Sequence, residues 1–86
     1  MSTPRNRAFA LVADTLIEMD KDSNGPIHRT PDNRWGFWSF DIESELTNEG
    51  IDFTDAGQVR ALYVRVAALA IAGIAAIERA LAAKAT

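Results

Sequence analysis

From about Asp55 to Lys84 the chain reads as one helix with almost no polar face, and the twelve residues from Val66 to Ile77 (VAALAIAGIAAI) include none that is polar. On a helical wheel its large apolar side chains cover an arc of roughly 220°, about twice what a surface helix needs. A chain of 86 residues makes one domain, spanning 1–86, with a single modest core. Such a domain has a radius of gyration near ~12 Å, whereas the helix alone would run about 45 Å at 1.5 Å per residue. It must overhang its domain, bend near Gly73, or pack against another copy. The third option also hides the apolar surface. The expected fold is therefore all-α: a three-helix domain with helices at about 4–20, 35–49 and 55–84, the last packed in a homo-oligomeric bundle. Ala68, Ala72 and Ala76 form a small-residue row that lets a partner helix approach closely.

The remaining elements follow from local signals. Ser2 or Thr3 before Pro4 is an N-cap with proline in the first turn. Phe9, Val12, Leu16 and Met19 then recur at helical spacing, with Ala13 beside them. Residues 21–34 (KDSNGPIHRTPDNR) form a loop rich in turn signals, and its length marks it as the first place to look for a binding segment. Trp35 to Glu49 reads as a second helix with a stripe of Trp35, Trp38, Ile42 and Leu46, closed by Gly50. A short strand over 37–42 is the alternative, because aromatics also suit strands. Thr54 caps the long helix, with Asp55 in its first turn. The expected core is Phe9, Val12, Ala13, Leu16, Trp38, Ile42, Leu46, Val59, Leu62, Val66, Leu69, Ile74 and Ile77.

Composition excludes several functions. There is no cysteine, hence no disulfide, thiol nucleophile or Cys-based zinc site, and the lone His28 removes a His-rich metal centre. The net charge of −3 is uneven, because residues 1–54 hold ten Asp/Glu against five Lys/Arg. An acidic front half offers no electrostatic footprint for duplex nucleic acid, but it suits a divalent cation or a basic protein surface. No secretory signal opens the sequence, and the apolar run at 61–77 is interrupted by Arg65 and built largely of alanine. The expectation is a cytoplasmic chain that does not span a membrane.

The residues that could carry chemistry are acidic. Asp41, Glu45 and Glu49 stand at i, i+4 and i+8, so one helix face would hold all three as ligands for Mg²⁺. The plainer reading is a solvated face. Arg60 and Arg65 emerge from the apolar helix, and a buried arginine needs a carboxylate partner. Pairing with Asp41 or Glu45 would make the acidic row structural. Trp35, Phe37, Trp38 and Phe40 gather four aromatics in six residues. They can fill the core, stack on a base, or, through the two tryptophans, anchor a protein interface. His28 reads as a surface residue. The serines lack a nucleophile setting, and no P-loop, dinucleotide-binding glycine pattern or HExxH is present.

The segment Gln58–Arg79, and its close Ala75-Ala76-Ile77-Glu78-Arg79 in particular, resembles the last helix of small MazG-like proteins common in bacteriophages and actinobacteria. Arg34-Trp35-Gly36 is similar to the Lys-Trp-Gly step near the front of that group. The resemblance covers about a third of the chain. It implies an all-α protein that assembles as dimers or tetramers and removes pyrophosphate from nucleoside triphosphates with Mg²⁺. The family draws its metal ligands from a Glu-x-x-Glu pair on one helix and an acidic pair on the next. This chain has a different spacing on the first helix and no acid from Ala56 to Ile77 on the second. What the resemblance implies is thus a nucleotide- and Mg²⁺-binding or non-catalytic relative. A second reading is an acidic protein-binding module, such as a phage-encoded inhibitor or adaptor of a host system. A third is a structural oligomer without a ligand.

Overall fold

The computed structural model describes residues 3–22, 25–29 and 35–85. Three long helices, α1 (Pro4–Lys21), α3 (Trp35–Leu46) and α4 (Ala56–Ala85), are joined with a single helical turn, α2 (Pro26–Arg29). Among the described residues there is no strand, so the alternative strand at 37–42 is helix.

Side-chain capping sets the helix ends. Thr3 is the N-cap of α1, its hydroxyl accepting the Asn6 N–H at 3.1 Å, with Pro4 in the first turn. At the start of α4 the cap is Asp55 rather than Thr54. Asp55 Oδ1 accepts the N–H groups of Gly57 (2.9 Å) and Gln58 (3.3 Å), two of the donors a helix start leaves open. Helix α3 stops at Leu46, short of the expected Glu49. The Thr47 hydroxyl donates back to the Glu43 carbonyl (2.9 Å), and Asn48 Oδ1 accepts the Gly50 N–H (2.9 Å). These side chains give the backbone an alternative to the helix just where it would continue. Within the expected loop, the Gly25 N–H donates to Asp22 O and the His28 N–H to Gly25 O, which winds the turn of α2.

Helix α4 is the spine. Trp38 lies over Gly73 and Glu45 meets Arg65, so α3 runs antiparallel to α4. The start of α1 faces the start of α4, and Leu16 and Met19 reach the middle of it, so α1 runs parallel to α4. Both α1 and α3 lean chiefly on α4 rather than on each other. The core cluster is Trp38 (3% exposed), Leu69, Ala72 and Ala76, with Leu16, Met19, Ile27 and Ile42 packed around it. Leu62 and Ala68 are also buried. A fully buried leucine contributes about 1.5–3 kcal/mol, so Leu62 and Leu69 matter out of proportion to their number.

The alanine row therefore has an intramolecular use. Ala72 and Ala76 with Gly73 form a shallow ledge that receives the indole of Trp38. A Cβ on Gly73 would stand 3.3 Å from Trp38 Cβ, closer than ordinary contact.

The expected core is only partly assembled. Trp38, Leu62 and Leu69 are buried, and Val12, Leu16, Ile42, Val59, Val66 and Ile77 are half-buried. Phe9, Ala13, Leu46 and Ile74 are exposed. Two flanking helices cover one side of α4 and leave the other open. The molecule measures 47 × 36 × 20 Å with a radius of gyration of 14.3 Å, its long dimension close to the length of α4. The helix overhangs its domain.

Candidate functional site: a divided acidic row and an aromatic outer face

The three carboxylates of the acidic row are not gathered. Glu45 Oε2 accepts a hydrogen bond from Arg65 Nε at 2.9 Å, and both side chains are half-buried between α3 and α4. Asp41 is half-buried one turn earlier, and Glu49 sits exposed in the turn beyond α3, off the helical row. Among the described residues no group of three His, Asp or Glu side chains stands close enough to hold a metal ion. Arg60 lines a groove between α1 and α4.

The aromatic cluster divides as well. Trp38 is the core residue, its Nε1 buried without a hydrogen-bond partner among the described residues. Trp35 is exposed at the start of α3, and Phe37 (51% exposed) and Phe40 (66%) point to solvent. Phe40 stands two positions after Trp38, which turns it about 160° away on the helix. Exposed Glu43 and Ser44 share that outer face. The face was legible: Trp38 and Ile42 lie one turn apart, and the same wheel sends Phe40 outward.

The groove encloses about 570 Å³. Leu11 and Val12 of α1 and Val59, Val64 and Ala67 of α4 line it, together with Arg7, Arg60 and Tyr63. No sequence signal pointed to it, because it arises from the splay of α1 against α4.

Two polar contacts brace the edges. Asp52 Oδ1 accepts the Thr54 hydroxyl (2.6 Å) and the Thr54 N–H (2.9 Å), and these bonds, the hydroxyl foremost, hold its carboxyl below the ordinary value of 3.8. His28 Nε2 stands 2.6 Å from the Asp20 carbonyl oxygen and 3.1 Å from its carboxylate, on an exposed surface as expected. In the loop singled out for binding, residues 23–24 and 30–34 lie outside the described residues, as does Arg34 of the Arg-Trp-Gly step. No protein-family model matches the chain, and no curated protein or solved structure matches it either.

Proposed function

We propose that this chain is a non-catalytic protein-interaction module that meets its partner through the outer face of α3. The observation that supports this reading most is the exposure of Phe37 and Phe40 on a helix whose opposite side is already packed. Exposed aromatics grouped on a rigid element are the usual anchors of a protein interface. Glu43 on the same face, with Glu49 beyond its end, favours a partner surface with apolar pockets rimmed by Lys and Arg. The pairing of Glu45 with Arg65 gives part of the acidic row a structural role.

The test is affinity capture from host cells with the wild-type chain and with Phe37→Ser/Phe40→Ser, whose helicity is checked by circular dichroism. A host protein retained by the wild type, released by raised salt and lost with the double variant supports the reading. The competing reading is nucleotide and Mg²⁺ binding. Calorimetric titration of Mg²⁺ with nucleoside triphosphates, with an assay for pyrophosphate, decides it. Binding that vanishes in Glu45→Gln, or release of pyrophosphate, would replace the interaction reading.

A further inference from the structure

The open side of α4 carries a pattern of its own. Val64, Ala67, Ile71, Ile74, Glu78 and Leu81 follow one another at spacings of three, four, three, four and three. This is the 3.5-residue period of a coiled-coil seam. Ile71, Ile74 (58% exposed), Glu78 and Leu81 (53%) lie open to solvent, and Val64 and Ala67 are half-buried at the groove. By length and composition Ala56–Lys84 is apolar enough to cross a membrane, and only 28% of its most apolar window is buried within the chain. No other described part of the chain covers this face.

We infer that the occupant is the α4 helix of a second copy of this chain, packed antiparallel in one register. Extending the seam backward by the same spacing adds Arg60 and Gly57. In an antiparallel two-fold pair, Arg60 can be set opposite the partner's Glu78. That single choice sets Val64 opposite the partner's Ile74, Ala67 opposite the partner's Ile71, and Gly57 opposite the partner's Leu81. Symmetry repeats each layer, so both ionic pairs form and every apolar layer joins a smaller side chain to a larger one. Sliding the pair by one heptad sets Ala67 against the partner's Glu78 and breaks both ionic pairs. A parallel pair in register stacks Arg60 on the partner's Arg60 and Glu78 on the partner's Glu78. Charge complementarity thus favours one arrangement over its near alternatives.

The groove fits the same occupant. It borders the first half of the seam, where Arg60, Val64 and Ala67 form part of its wall and α1 supplies Leu11, Val12 and Arg7. In the antiparallel register the second half of the partner's helix lies there, its Ile74 and Leu81 against apolar walls. Arg7 then offers a second cation near the partner's Glu78. This surface is separate from the outer face of α3, so the dimer and the proposed interaction stand or fall independently.

Sedimentation equilibrium of the full chain tests the state, and pulsed electron–electron resonance tests the register. The chain has no cysteine, so Ala82→Cys accepts a single spin label. The expected result is a dimer whose labels lie on the order of 40 Å apart, from 26 residues of axial offset at 1.5 Å each. A parallel pair would bring them to about 10 Å and would overturn the register. Ile74→Glu should weaken the dimer at least about 30-fold while helicity is kept, because it buries an unpaired charge at the seam. Arg60→Glu and Glu78→Arg should each weaken it roughly tenfold, and the double reversal should restore it. A monomeric wild type, or a dimer indifferent to Ile74→Glu, overturns the proposal. So does a monomer that sediments with phosphatidylcholine vesicles, which would assign the face to a bilayer.

Discussion

Trp38 and Gly73 bring α3 and α4 close together, and small changes there carry large weight. Gly73→Leu would drive a side chain into the indole, whose Cβ stands 3.3 Å from where a Cβ at 73 would be. The expected loss is about 1–3 kcal/mol from overpacking. A methyl group added at Gly36 would meet nothing within 4 Å, and the residue takes no positive φ, so Gly36→Ala should gain about 0.5 kcal/mol through the unfolded chain. Urea midpoints of the two variants check both signs. Glu45 and Arg65 supply the second residue-scale test. A double-mutant cycle with Glu45→Gln and Arg65→Met should give a coupling of about 1 kcal/mol, between an exposed pair and a fully buried one. Arg65 was recognisable from its sequence as a charge on an apolar helix in need of an acid. The acidic face was named for it, but the choice of Glu45 over Asp41 was not, because that depends on how α3 slides along α4 until Trp38 finds the glycine.

Among the elements, α4 was the most legible, since a long apolar run between a capping acid and a terminal lysine permits little else. Its start was displaced by one residue, because both Thr54 and Asp55 are good caps and the choice rests on which side chain reaches the first open N–H groups. The neighbouring Thr54 is instead held by Asp52, and that contact is pH-sensitive. The folded-state pKa of Asp52 lies below its ordinary 3.8. Its contribution is therefore present above the unfolded value and is lost as pH falls through the folded one. Stability should decline on acidification below about pH 4, and Asp52→Asn should flatten that limb in urea titrations at successive pH values. The end of α3 was misjudged for the opposite reason. Periodicity carried the stripe as far as Leu46 and gave no reason to stop, while Thr47 and Asn48 turn the chain by local side-chain bonds. That early stop takes Glu49 out of line with Asp41 and Glu45.

Across the whole molecule, one side of α4 is packed by α1 and α3 while the other is the side we propose for assembly, and two substitutions separate them. Leu69→Asp places a charge in the cluster of Trp38, Ala72 and Ala76 and should unfold the chain, at a cost of several kcal/mol, on the order of 4. Loss of the cooperative thermal transition in circular dichroism would show it. Ile74→Glu, five residues on, should leave the monomer folded. The thermal midpoint of the wild type should rise with protein concentration, as for any chain stabilised by its own association. Apolar arc alone could not divide these roles, since the sequence offers alanine, leucine and isoleucine all round α4. The division appears only once α1 and α3 have taken their places.

Those two helices lean chiefly on α4 rather than on each other, and α4 is the last of the three to be synthesised. Until the ribosome has made it, α1 and α3 have little to pack against, and helices of 18 and 12 residues are marginal by themselves in water. The nascent chain thus shows Leu16, Trp38 and Ile42 to the cell until α4 emerges. Folding must wait for α4, and until then these apolar side chains have little of their own fold to cover them.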